Sequence, residues 1–86
     1  MKILMEPIEM IAWFGTEGMP RPLRFKLKKE TEENVYKVEQ ILTRTEEKLA
    51  GNRMIIYRCQ SEINGALKRF ELKYELNGCR WFLFKI

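Results

Sequence analysis

Two Asn-Gly pairs, Asn64-Gly65 and Asn77-Gly78, set the geometry of the last third of this chain. Each lies between runs of alternating apolar and charged residues, the strongest short-range signal for a two-residue β-hairpin. Both central positions of a type I′ turn need φ > 0, which Gly adopts freely and Asn more readily than most residues. The pairs therefore predict a three-stranded antiparallel meander with a defined register. Cys59 faces Phe70, Tyr57 faces Leu72 and Ile55 faces Tyr74; Leu72 then faces Leu83, Tyr74 faces Trp81 and Leu76 faces Cys79. Side chains alternate along each strand, so one face collects Ile55, Tyr57, Cys59, Phe70, Leu72, Tyr74, Leu76, Cys79, Trp81 and Leu83. That is a core face, and a one-residue slip would turn all of it toward water.

The opposite face carries Met54, Ile56, Arg58 and Gln60, then Arg69, Glu71, Lys73 and Glu75, then Arg80, Phe82, Phe84 and Ile86. The register sets Arg58 by Glu71 and Glu75 by Arg80, favourable opposite-charge neighbours. It also stands Phe82 beside Lys73 and Phe84 beside Glu71, an apolar strip of the kind that marks an interface. Strand one would cover the strip with Trp13 or Ile11, or a partner chain or second copy would cover it, with Ile56, Phe82, Phe84 and Ile86 as the interface. Alternatively the rings stack on nucleic-acid bases while Arg58, Arg69, Lys73 and Arg80 meet phosphates. The interleaved Glu71 and Glu75 weaken such a phosphate surface.

Upstream, residues 7–14 read as strand one and residues 15–22, with two Gly and two Pro, as a loop. Residues 23–28 alternate, with Leu23, Phe25 and Leu27 inward and Arg24, Lys26 and Lys28 outward. Residues 21–29, from Arg21 to Lys29, are the most basic stretch, either a secondary stripe tracking a phosphate backbone or an edge strand protected by outward charge. Glu30, Glu32 and Glu33 follow directly and favour the protected edge. Residues 29–34 read as a charged turn. Residues 35–43 fit a further strand, with Tyr36, Val38, Gln40 and Leu42 on one side and Val35, Lys37, Glu39 and Ile41 on the other; a helix over residues 30–42 is the competing reading. Residues 45–51 suggest a single helical turn capped by Thr45 and ended by Gly51, or irregular loop.

With 86 residues the chain is one small domain spanning residues 1–86, and it contains neither His nor Asp. Histidine is the usual general base and commonest metal ligand near neutral pH, so most familiar hydrolase and metal sites are removed. Two Cys without His leave too few ligands for structural zinc. Catalysis by Glu pairs, Lys or Tyr stays chemically open, but no spacing singles out such a group. The expectation is a binding module, with no enzymatic activity, cofactor or metal. In the predicted meander Cys59 and Cys79 lie about six residue steps apart, roughly 20 Å. They are expected to be unpaired thiols, since a disulfide needs Cα atoms within ~7 Å. Net charge of +4 permits a nucleic-acid or acidic partner without requiring one. The apolar cluster at residues 1–5 is too short for a signal-peptide core, and no segment approaches the ~20 apolar residues of a membrane span. The expected compartment is the cytoplasm.

Pro22-Leu23-Arg24-Phe25, Val35-Tyr36-Lys37-Val38, Tyr57-Arg58-Cys59, Phe70-Glu71-Leu72 and Trp81-Phe82-Leu83 form a recurring punctuation. It resembles a class of small bacterial all-β domains of unknown function, some of whose relatives accompany DNA-repair polymerases. The resemblance covers residues 22–86 and implies a small barrel-like β fold with a leaning toward nucleic acid. It carries over no functional residue. The reading is all-β: five or six antiparallel strands in a small SH3-like barrel or a strongly bent sheet, ending in the three-stranded meander.

Overall fold

Asn64 and Gly65 adopt φ of 52° and 79°, the left-handed pair of a type I′ turn. They close β5 (Asn52–Ile63) onto β6 (Ala66–Glu75) with Ile63 opposite Ala66, and every predicted pair follows: Cys59 with Phe70, Tyr57 with Leu72, Ile55 with Tyr74. The computed structural model describes residues 1–28 and 33–86. The second Asn-Gly works differently. Gly78 is not in the left-handed region; Cys79 is, at φ 52°, and residues 76–79 form a four-residue loop between Glu75 and Arg80. A four-residue loop has the same centre as a two-residue one, so Leu72 still meets Leu83 and Tyr74 still meets Trp81 on β7 (Arg80–Lys85). Leu76 and Cys79 leave the ladder as a result, and Cys79 is exposed. A Cβ on Gly78 would meet the Glu75 carboxylate that Arg80 holds, so a larger residue there has to displace that pair.

A further hairpin stands where a helical turn was expected. β4 (Gln40–Leu49) runs straight through Thr45 and pairs with β5 along its length, ending in Ala50 and Gly51 at φ 51° and 84°. Ala is a poor advertisement for φ > 0, so this two-residue turn carries no sequence signal of its own.

The remaining strands are β1 (Ile3–Phe14), β2 (Pro20–Lys28) and β3 (Glu33–Lys37). All seven form one antiparallel sheet in the order β3-β2-β1-β7-β6-β5-β4, an all-β half-barrel with more strands than the five or six expected. β1 begins earlier than residue 7 and pairs edgewise with β7, Pro7 opposite Phe82 and Ile8 opposite Trp81. It therefore lies beside the Phe82 and Phe84 strip and does not wrap over it; Ile11 and Trp13 are both exposed. β2 starts at Pro20, inside the expected loop. Pro20 and Pro22 sit beyond the reach of β3, which pairs only with residues 24–28, so no neighbour asks for their missing N–H groups on that side. The β1–β2 register slips between Ile11 and Ala12, so Ile11 faces Arg24 and Ala12 faces Pro22. Leu23 falls in that bulge and points outward, against its expected inward position, while Phe25 and Leu27 are buried as the alternation requires. The charged turn expected over residues 29–34 falls largely on residues 29–32, outside the described residues.

The strand expected over residues 35–43 is divided at Val38 and Glu39. These two residues connect β3 and β4, which stand at opposite ends of the sheet. Flat, six strand spacings of ~4.8 Å would hold them ~29 Å apart. Three Cα steps from Lys37 to Gln40 span at most about 11 Å. The sheet has to curl. Ser61 holds the curl: the Glu39 N–H donates to its Oγ at 2.9 Å, and its hydroxyl donates to the Lys37 carbonyl at 2.7 Å. The Val38 N–H donates to the Leu23 carbonyl at 2.9 Å, and the Tyr57 hydroxyl donates to the Pro20 carbonyl across the same seam. Ile41, opposite Cys59, packs against the core with Tyr36 and Val38, whereas Leu42, expected to share their side, falls in the bulge before Thr43 and lies outside.

The concave side holds the core: Phe25 and Leu27 from β2 with Ile55, Tyr57, Cys59, Phe70, Leu72, Tyr74, Trp81 and Leu83 from the meander. Cys59 and Cys79 are both free thiols. Among the described residues no helix is long and apolar enough to cross a membrane.

Two stability outcomes follow from this packing. Ser61→Ala removes both hydroxyl bonds at the seam and is expected to lower the unfolding free energy by about 1–2 kcal/mol in urea titration. Burial pushes the Tyr57 hydroxyl up from 10.0 to about 12 and the Cys59 thiol up from 9.0 to about 12. The fold thus favours their neutral forms, and the unfolded chain ionises first. Their contribution is complete below pH 9 and lost as pH rises toward 12, so the urea midpoint should fall across that window, and less steeply in Cys59→Ala.

Candidate nucleic-acid interface

The convex face of the meander was the first candidate surface, and its charges are occupied with one another. Lys73 is only 8% exposed, with its ammonium 2.9 Å from the Glu47 carboxylate of β4 and 3.8 Å from the centroid of the Phe84 ring. Arg80 holds Glu75 through two bonds of 3.1 and 2.9 Å and lies over the Phe82 ring at 5.6 Å. These bonds, with one from Asn52, keep the Glu75 carboxyl below the usual carboxylate range. Arg58 approaches Glu71 at 3.7 Å. Glu71, Lys73 and Glu75 are all buried although they point away from the core, so β6 is covered on both faces. The ladder shifts between Glu71 and Leu72, pairing Lys85 with Glu71 and carrying Phe84 across toward Lys73. Ile56, Phe82 and Phe84 are half-buried and Ile86 is exposed. Arg69 is exposed opposite Gln60 and forms no ion pair among the described residues.

The secondary stripe lies elsewhere. Residues directly opposite in a ladder share a face, so the β1–β2–β3 register assembles the outer surface row by row. Glu9 stands beside Lys26 and Val35; Ile11 stands beside Arg24 and Lys37; Trp13 stands beside Arg21. Trp13 and Ile11 are each 59% exposed, and Val35 is exposed as well. Arg21 and Arg24 form no ion pair among the described residues. Glu9 is the one carboxylate among these three rows. Lys28 closes β2, with its side chain outside the described residues.

Trp13 is held open by the turn that follows it. A Cβ on Gly15 would come within 3.2 Å of the indole ring, so glycine lets the ring lie back across the β1–β2 turn with its other side to solvent. Trp13 was assigned no binding role on the sequence, because it was expected as a cover; Arg21 headed the basic stretch but was placed in a loop and was not among its named contacts. The signal that finds them is the Ile11 and Trp13 alternation, read as an outward face once the edge position of β1 against β7 is known.

Beside this face the seam opens into a cleft of about 490 Å³ between the start of β2 and the start of β4. Trp13, Pro20 and Arg21 form one wall, Ile41, Thr43 and Arg44 the other, and Tyr57 lies between. No family model, curated protein or solved structure matches the chain.

The Lys73 network makes a specific prediction about the convex face. Lys73→Ala strips the ammonium from both Glu47 and the Phe84 ring, and should cost about 1–3 kcal/mol in urea unfolding. The double variant Glu47→Gln with Lys73→Met keeps the stem, leaves no unpaired charge, and should restore most of that loss.

Proposed function

We propose that this chain is a non-catalytic binding module that holds single-stranded nucleic acid on the outer face of β1, β2 and β3. The observation that carries the reading is the row of Ile11 and Trp13, exposed and in register with Arg24 and Arg21. Stacking a base on an open indole is worth ~1–3 kcal/mol and tolerates any base, while neighbouring cations meet the phosphates. The net charge of +4 favours the approach of a polyanion. The Phe82 and Phe84 face is the weaker platform, because Arg58, Lys73 and Arg80 would have to leave Glu71, Glu47 and Glu75 to reach a phosphate.

The curled sheet supports grouping the domain with small barrel-like β folds of the SH3-like kind, with two extra outer strands. The resemblance to small bacterial all-β domains leans the same way, with the cytoplasm as the setting. Fold likeness does not choose a ligand, and the exposed row does that work here.

The test is titration of a fluorescently labelled single-stranded oligonucleotide at rising salt. Affinity should fall with salt, with a logarithmic slope reduced by about 0.7 in Arg24→Gln. Trp13→Ala should weaken binding about tenfold. Arg58→Gln should leave binding within about twofold, since that cation is engaged with Glu71. Binding unaffected by Trp13→Ala and Arg24→Gln would overturn the assignment. Salt-resistant self-association, lost in Phe84→Ser, would instead favour a protein interface on the Phe82 and Phe84 strip.

A further inference from the structure

The cleft at the seam has a composition that the outer face alone does not explain. β2 and β4 do not pair, so their first halves flank an opening within the volume range of small-molecule sites. The ladder places Arg44 directly opposite Tyr57, on the concave side of β4, and its positive charge acts on the Tyr57 hydroxyl. That hydroxyl is bonded to the carbonyl of Pro20, the residue before Arg21. Arg21 and Arg44 therefore line one opening from opposite banks, across a floor fastened by a buried tyrosine. Neither forms an ion pair among the described residues. Glu17 is the one carboxylate in the lining. Its carboxylate lies by Gly15, on the Trp13 side of the opening.

At the mouth lies Trp13, exposed, its ring against Gly15 and among the residues that line the same opening. A flat aromatic surface next to two unpaired guanidiniums is complementary to a flat ring that carries an anionic group a few ångströms away. Arginine suits the anionic part, because its planar fork binds phosphate oxygens in pairs. The indole suits the ring, since stacking needs only a π-face.

We infer that the cleft is a seat for one nucleotide unit, its base against Trp13 and its phosphate between Arg21 and Arg44. This deepens the nucleic-acid reading of the adjoining face, yet it rests on different residues on the β4 side. The shared chemistry, a base bearing a phosphate, is offered both by a free mononucleotide and by the phosphorylated end of a strand. Arg44 is the residue that separates the cleft from the outer face, because it belongs to β4, which pairs with β5 and not with β1, β2 or β3.

The experiment uses the full chain and three probes: adenosine 5′-monophosphate, adenosine and inorganic phosphate, each followed by tryptophan fluorescence and by calorimetry. The monophosphate should bind saturably and about tenfold more tightly than adenosine or phosphate alone, because only it engages both halves of the seat. Arg44→Gln should remove most of that advantage, Trp13→Ala should lower affinity for adenosine and its monophosphate together, and Glu17→Gln should tighten the monophosphate about twofold. Arg44 and Trp13 are exposed, so both variants are expected to fold, and urea unfolding verifies it. A 5′-phosphorylated oligonucleotide that outcompetes its unphosphorylated twin in wild type, but not in Arg44→Gln, identifies a strand end as the source. Equal competition by the twins, with the free monophosphate still bound, identifies a mononucleotide. Absence of saturable monophosphate binding at millimolar concentration, together with no preference between the oligonucleotide twins, overturns the inference even where the strand binds. Monophosphate binding without any oligonucleotide binding overturns the outer-face assignment and leaves the cleft standing.

Discussion

The connection of β3 to β4 through Val38 and Glu39 is the constraint on which the rest of this molecule depends. Two residues join strands at opposite ends of a seven-stranded sheet, and no flat or gently twisted sheet allows that. Curling brings the edges together where Ser61 bridges Lys37 and Glu39, and it gives the concave side enough enclosure to bury Phe25, Tyr57 and Phe70. It also defines where the enclosure fails. Past Leu23 the edges of β2 and β4 separate without pairing, and the cleft lined by Arg21, Arg44 and Tyr57 is that unclosed stretch of seam.

Curvature has a second consequence on the convex side. β6 is central, flanked by β5 and β7, and long side chains from its neighbours lie over its outer face. Glu71, Lys73 and Glu75 are buried there, and burial of charge demands partners. Arg58, Glu47 and Arg80 supply them. A surface that looks basic in one dimension is thus spent on internal pairing. Arg21 and Arg24 on β2 meet no acid in their rows.

The meander was legible because two independent signals agreed: Asn-Gly turns and an apolar alternation that only one register satisfies. Even so, Asn77-Gly78 reached the right register through a different loop, with Cys79 and not Gly78 in the left-handed region. The Ala50-Gly51 hairpin was illegible, since Thr45, Glu46, Glu47 and Lys48 suit a helix as well as a strand. Strand geometry wins there because β5 offers β4 a full ladder. Leu23 was assigned inward but falls in a bulge, and Ile41 was grouped apart from Tyr36 and Val38, with which it packs, because the chain passes from β3 to β4 between them. Within the candidate interface, Arg24 and Lys26 were visible as outward charges on β2. Trp13, Arg21 and Arg44 were not, because their meeting depends on which edges the curl brings together.

By itself the sequence determined an all-β chain, the register of β5, β6 and β7, the apolar face they share, and the pairing of Arg58 with Glu71 and Arg80 with Glu75. These are local matters, settled by turn chemistry and a period of two. Only the tertiary structure decided that β1 joins the sheet beside β7, that Lys73 turns to Glu47, and that Arg21 and Arg44 share one opening. Each of those joins residues far apart in the chain, and their meeting is set by how tightly a two-residue connection bends the whole sheet.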